Sequence, residues 1–306
     1  MVQFDIVKTL KSIQAQNPNL ALPVQTVKAL IKYTQQSNCS TATELTVEIG
    51  HLFSTLQQSD ISVISATAGK DVFLKLVTKN PIKDEMKEFR DEIIEEANEF
   101  VERCEHFRQI AADFGLNFIK DNSTILIHSH SRLVMLLLKS AALRKKHFQV
   151  YVCQGSPSNG GSKAVLELRK ANIPAALISD AAIGYIMEKV DFVLVGAEGI
   201  VRNGGIINQI GTYPLALVAK AADKPLYCVA ESYKFIDVFP LNQDDLDLEK
   251  NSSVYFTNEE DGGKCKISNP SVDYTPPELV TFLFTNEGVL APSGVSELLL
   301  EMVFTS

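Results

Sequence analysis

Cysteine is sparse in this 306-residue chain and never clustered: Cys39, Cys104, Cys153, Cys228 and Cys265 include no CxxC pair. So odd and scattered a set gives neither a disulfide framework nor a zinc knuckle, and a reducing compartment is the simpler setting. Basic charge is also short. Against 37 aspartates and glutamates stand 29 lysines and arginines, a formal net charge of −8, which argues against a broad basic face that wraps nucleic acid. Long apolar runs are missing too: none approaches membrane-spanning length, and Met1-Val-Gln-Phe-Asp-Ile-Val-Lys-Thr-Leu10 has no long apolar core of a secretory leader. The expectation is a cytosolic protein with no membrane association and no direct nucleic-acid partner. No internal repeat or low-complexity segment stands out. With 45% hydrophobic and 22% charged residues, the chain has room for one or two cores of ordinary size.

Up to about residue 121 the apolar residues recur at helical spacing. Ile6, Leu10 and Ile13 form one such set, Val27, Leu30 and Ile31 follow Pro23, and Leu45, Ile49, Leu52 and Leu56 follow the Ser40-Thr-Ala-Thr-Glu44 opening. The longest helix is expected from about Lys83 to Phe114. In it Ile93, Phe100, Phe107 and Phe114 repeat every seven residues, with Ala97, Cys104 and Ala111 between them, as one apolar seam. Its other faces carry Glu88, Arg90, Asp91, Glu92, Glu95, Glu96, Glu99, Glu102 and Glu105. A charge run of this kind reads as a solvated helix surface, with a docking face as the alternative.

After Asp121 the period switches. Thr124-Ile-Leu-Ile-His128, Phe148-Gln-Val-Tyr-Val-Cys153, Ala175-Ala-Leu-Ile-Ser179, Phe192-Val-Leu-Val195 and Leu226-Tyr-Cys-Val-Ala230 read as buried parallel strands. Helical segments Arg132 to Lys146, Ser162 to Ala171, Ala182 to Lys189 and Tyr213 to Ala222 separate them. The fold class is therefore α/β: an all-helical N-terminal domain over 1–121, then a Rossmann-like, doubly wound, mostly parallel sheet domain over 122–306. The polar stretch Asp244 to Asn269 reads as a long surface loop.

Ligands in such sheets sit beyond the carboxyl ends of the strands. The run from Val195 to Thr212 holds five of the 16 glycines and reads as a strand breaking into a loop whose amides can approach an anion. The first strand ends in His128-Ser-His-Ser-Arg132, where hydroxyls, imidazoles and a guanidinium at a helix N-terminus suit phosphate. A plainer reading has Ser129 or Ser131 as a helix cap. His128 and His130 alternate along extended chain and make a poor metal pair. Ser129 lacks the glycine-flanked elbow of a hydrolase nucleophile.

These motifs carry a resemblance. The run from Thr124 to Asp245, with Asp273-Tyr-Thr-Pro-Pro-Glu-Leu-Val280 and Thr285-Asn-Glu-Gly-Val-Leu-Ala-Pro-Ser-Gly-Val-Ser296, resembles the family uniting the regulatory subunits of translation initiation factor two-B with methylthioribose-phosphate and ribose-bisphosphate isomerases. Val195-Gly-Ala-Glu-Gly199, Gly204-Gly-Ile-Ile-Asn208, Ile210-Gly-Thr212, Ala230-Glu-Ser-Tyr-Lys-Phe235 and Phe239-Pro-Leu-Asn242 place it on the regulatory side. Ser65-Ala-Thr-Ala-Gly69 and Phe73-Leu-Lys-Leu-Val77 extend the similarity, more loosely, into the helical part.

The resemblance implies a cysteine at the place of Ser129 and an aspartate at the place of Glu198 in the isomerases, which together move protons between adjacent sugar carbons. Serine is far less acidic than cysteine, and a carboxylate moved by roughly an ångström can cost on the order of a hundredfold in rate. Gln154-Gly-Ser-Pro157 and Asn208-Gln209 replace an arginine and a lysine of the isomerases, which weakens phosphate binding. The expectation is a non-enzyme with no cofactor and no metal. A vestigial sugar-phosphate or nucleotide pocket is left, formed by Ser129, Arg132, Glu198, Asn208 and Lys234; the alternative is that Glu198 and Asn208 only fix their loops and Lys234 is a surface lysine.

The resemblance further implies a homodimer that bridges beta, gamma, delta and epsilon subunits into a decamer. That assembly meets initiation factor two phosphorylated on its alpha subunit, and the N-terminal helices line the meeting surface. The apolar C-terminal helix up to Phe304 must be covered, by its own sheet or by a subunit. Two rivals stay open: an active aldose–ketose sugar-phosphate isomerase and a free-standing metabolite-binding protein.

Overall fold

In the helical part, side-chain caps and one proline mark where the first helices begin. The computed structural model describes residues 4–59, 61–80, 85–245 and 270–304. Asp5 accepts from the amide of Lys8 at 2.9 Å and opens α1 (Ile6–Gln16), and Pro23 stands in the first turn of α2 (Leu22–Gln36). Thr41 accepts from the amide of Glu44 at 3.1 Å to open α3 (Ala42–Ser54). Ser62 does the same for α4 (Val63–Lys79). The apolar faces read from the sequence are the buried ones: Ile6, Leu10, Ile13, Val27, Leu30, Ile31, Leu45, Ile49 and Leu56 all lie in the core. Leu52 is half-buried.

Helix α5 (Met86–Leu116) departs from its expected seam; the expected start at Lys83 lies outside the described residues. Its buried side runs through Phe89, Ile93, Ala97, Val101, Cys104, Ala111, Ala112 and Leu116. Phe100 and Phe107 are only half-buried, and Phe114 is 39% exposed. The cause is geometric. An α-helix drifts about 20° per seven residues against an exact heptad, so three heptads after Ile93 a phenylalanine has turned out of the core.

The chain divides into two compact units, one of Met1–His106, Tyr233–Ile236 and Leu298–Ser306, the other of Phe107–Ser232 and Asp237–Glu297. The division falls inside α5, earlier than the change of period near residue 121.

The second unit alternates strands and helices: β1 (Ser123–His128), α6 (Arg132–Leu143), β2 (Phe148–Cys153), α7 (Gly160–Lys170), β3 (Ala175–Ile178), α8 (Ile183–Met187) and β4 (Phe192–Val195). A hairpin of β5 (Gly199–Val201) and β6 (Ile206–Gln209) follows, then α9 (Thr212–Ala221) and β7 (Leu226–Val229). The two-residue β8 (Phe235–Ile236) is grouped with the helical unit. Beyond one helical turn at Gln243–Asp245, the rest of the expected loop up to Asn269 lies outside the described residues. The chain continues with β9 (Val272–Thr275), β10 (Phe282–Thr285), β11 (Gly288–Leu290) and α10 (Val295–Phe304). In α10, Val295 and Leu299 are buried and Leu300 is 46% exposed.

The main sheet has the order β11-β10-β7-β4-β1-β2-β3, parallel except for the antiparallel β10–β11 pair. Strands β1, β2 and β3 step one way and β4, β7 and β10 the other. This mostly parallel, Rossmann-like order places a topological switch point between β1 and β4. Its core joins Ile125, Ile127, Leu137, Leu138, Val150, Leu194 and Phe284.

The glycine-rich run after Val195 is not a plain loop. Strands β5 and β6 pair antiparallel, with Gly199 opposite Ile207 and Ile200 opposite Ile206, and β6 pairs with β9. The signal was present: Asn203-Gly204 between apolar residues is a hairpin turn, and Asn203 Oδ1 accepts from the amide of Gly205 at 2.9 Å.

Candidate functional site

Strand β1 is buried along its length and ends on His128, at the switch point. Ser131 caps α6, accepting from the amide of Val134 at 3.4 Å. Ser129 is thus no cap. It turns the chain with φ +53 and is 3% exposed. Its amide donates to Cys153 O at 3.2 Å, and its Oγ lies 3.5 Å from Ser158 Oγ, a second hydroxyl rather than a base. Arg132 is the exposed first residue of α6.

The two imidazoles part company, as alternation along extended chain requires. His130 Nε2 meets Glu167 Oε2 at 2.8 Å, and Lys139 holds the other carboxylate oxygen at 2.7 Å. His128 is buried, and neither of its ring nitrogens has a partner among the described residues. Burial pulls its pKa down, partly opposed by the nearby Asp180 charge, so the ring sits neutral. A Cβ on Gly211 would come within 2.6 Å of its Nε2, which places this imidazole under the start of α9. Among the described residues no three His, Cys, Asp or Glu side chains gather as a metal site.

Across the switch point, Glu198 follows β4 half-buried, and its amide begins the hairpin by donating to Ile207 O at 2.9 Å. Asn208 turns inward on its own loop: its Nδ2 donates to Thr212 Oγ1 at 3.1 Å, and that hydroxyl donates to Gln209 O at 2.7 Å. Ser129, Arg132, Glu198 and Asn208 all belong to the sheet unit, whereas Lys234, in a single turn at Ser232–Lys234, belongs to the stretch 233–236 grouped with the helices.

Asp273 acts on the site from outside the residues that the sequence points to. From β9 its Oδ2 accepts from the amides of Gly211 at 2.7 Å and Tyr213 at 3.0 Å, so it caps α9 from a distant strand. Burial pushes its carboxyl up from 3.8 to about 7, against the pull of those amides. A group whose folded pKa is raised holds its proton more tightly folded than unfolded. Its contribution is therefore fully favourable below about pH 4 and is lost as pH climbs toward 7. That contribution lowers the unfolding midpoint of the wild type over that window. Asp273→Asn should remove that part of the fall; parallel midpoint-versus-pH curves for the two proteins would refute it.

A second group missed from sequence is Arg108 on α5. Its Nε lies 3.0 Å from Oε1 of Glu231, a carboxylate only 1% exposed just beyond β7. No local pattern announces a pair separated by 123 residues.

The helical unit has a cavity of about 940 Å³ lined by Phe4, Asp5, Tyr33, Glu44, Glu48 and His51, among others. Tyr33 and Cys39 both donate to Glu48 Oε2, the thiol from 2.9 Å. Burial, then the bond to Glu48, pushes the Cys39 thiol up to about 11. The same bonds hold Glu48 below the usual carboxylate range.

Among the described residues no helix is long and apolar enough to cross a membrane. The chain is 35% identical, over 97% of its own length and 96% of the relative's, to translation initiation factor eIF2B subunit alpha of Dictyostelium discoideum. It is 32% identical to ribose 1,5-bisphosphate isomerase of Methanocaldococcus jannaschii, over 67% of each chain. The crystal structure of the Pyrococcus horikoshii OT3 translation initiation factor eIF-2B superposes with a TM-score of 0.71 at 25% identity, covering 94% of this chain and 97% of that one. The family model described as the initiation factor 2 subunit family matches residues 15–292, and with that match and these relatives the chain belongs to that family.

Proposed function

We propose that the chain is an alpha-type regulatory subunit of the guanine nucleotide exchange factor for initiation factor two, and that it is not an enzyme. The single observation that carries this is the 35% identity over 97% of the chain to an eIF2B alpha subunit, against 32% over 67% and 26% over 90% of the chain for two of the isomerases. The site supports it. Ser129 is closed off and faces a hydroxyl, and an unactivated serine is a poor proton shuttle at neutral pH. Ser129, Arg132, Glu198 and Asn208, with Lys234 added on sequence grounds, are a retained crevice for a sugar phosphate or nucleotide. A ligand held there stabilises the folded assembly without turnover.

In this reading the protein works in the cytosol as a homodimer that joins the beta, gamma, delta and epsilon subunits. The helical domain, taken as 1–121, meets initiation factor two phosphorylated on its alpha subunit, and the sheet domain, 122–306, carries the dimer. Affinity purification from the native cell tests this: four further stoichiometric subunits and initiation factor two should co-purify, and their absence refutes the assembly. The isomerase reading is supported by the Methanocaldococcus relative. Turnover of ribose bisphosphate or methylthioribose phosphate by the purified chain, abolished by Ser129→Ala, would establish it instead.

A further inference from the structure

Between β2 and α7, the segment Gln154–Asn159 folds down onto Ser129. Glycines at each end allow the approach: a Cβ at Gly155 would lie 2.4 Å from Ser129 Cβ, and one at Gly160 would lie 2.5 Å from Ser129 Oγ. The segment is held from two sides. On one, the Asp180 carboxylate accepts from the amides of Gly155 at 2.9 Å and Ser156 at 2.8 Å. On the other, the Gln209 carboxamide Nε2 donates to Gly155 O at 3.0 Å and also to Ser158 Oγ. Ser158 Oγ donates in turn to Gly155 O at 3.1 Å and is the hydroxyl beside Ser129. Gln209 itself is fixed, since β6 is paired along β9 with Gln209 opposite Val272.

We infer that Gln154–Asn159 is a lid over Ser129, pivoting at the Asp180 carboxylate and latched by the Gln209 side chain. The outer side of the lid is exposed at Ser156, Ser158 and Asn159, while Ser129 beneath it is buried. Both latch bonds come from one side chain, so one substitution removes them together, whereas the two bonds to Asp180 survive its loss. Entry of an anionic ligand to the strand ends then requires the Gln209 amide to release Gly155 O and Ser158. That role in ligand entry rests on the proposed crevice; the latch is a property of the free chain.

The test is amide hydrogen exchange on the full chain, comparing the wild type with Gln209→Ala and with Gln209→Glu, which is nearly isosteric but cannot donate to a carbonyl. Losing two hydrogen bonds of ordinary net strength should speed exchange across 158–161 by about tenfold or more, while the amides of Gly155 and Ser156 stay held by Asp180. The amides of β1 and β2 should keep their wild-type rates, which shows that the sheet is intact. Unchanged exchange across 158–161 in both variants overturns the latch. Repeating the measurement with ribose 5-phosphate separates the two claims. A loosened segment that the sugar phosphate does not protect supports the lid and refutes the crevice; protection without loosening in either variant does the reverse.

Discussion

Arg108→Met is expected to destabilise the protein by about 3–5 kcal/mol, because it takes a positive charge away from a buried carboxylate rather than deleting one neutral contact. Glu231 is 1% exposed and its Oε1 lies 3.0 Å from the Arg108 Nε. The methionine preserves most of the apolar stem, so lost packing contributes little. What remains is a carboxylate out of water with the Arg108 guanidinium gone. Two features identify the cause. In Arg108→Met the penalty shrinks as pH falls, since a protonated Glu231 is cheaper to bury. Arg108→Met combined with Glu231→Gln recovers most of the loss, since both charges are then gone. Urea unfolding of the two single variants and the double measures all of this; a cost below about 1 kcal/mol for Arg108→Met would show that the pair is only a surface-grade interaction.

Phe284→Ala is expected to cost about 3–5 kcal/mol, by opening a cavity in the core of the main sheet. Phe284 is 1% exposed on β10. Its ring centroid lies 4.6 Å from that of Phe118 and 5.2 Å from that of Tyr227, and Phe192 and Phe282 flank Tyr227 in the same cluster. A rigid aromatic group of this kind collapses poorly around a missing ring. Phe284→Leu, which keeps much of the volume, should lose about half as much or less. Denaturant midpoints at unchanged slope decide it. Equal losses for alanine and leucine would mean that ring geometry, not volume, is what the site requires.

The parts of the molecule that could be read in advance are those where neighbours in sequence settle the matter. Strand β1 and its parallel partners announce themselves as short apolar runs, since strands covered on both faces have no polar side to show. The five motifs of the glycine-rich half led to the family because they lie close together in order. The errors came from elsewhere. The seam of α5 was drawn through Phe100, Phe107 and Phe114, where an exact heptad outruns a helix of 3.6 residues per turn. In the β5–β6 hairpin, glycine signals a loop more loudly than Asn203-Gly204 signals a turn. Asp273 capping α9, Arg108 against Glu231, and Gln209 on Gly155 each join residues dozens of positions apart, and no local pattern fixes such pairs. Ser131 rather than Ser129 caps α6, a choice made by the backbone turn at Ser129.

Both rims of the main sheet end on short strands, three residues in β11 and four in β3. An intruding strand from another chain would find only a few free backbone groups at either rim, too few to hold it in register. The reversed direction of β11 further interrupts the parallel pattern that a recruited strand would extend. The sheet is therefore poorly suited to growing by edge-to-edge strand addition, a standing route to fibrous aggregates. At the main sheet, contacts through side-chain surfaces, where sequence can specify the partner, are thereby favoured over contacts through the backbone, where it cannot.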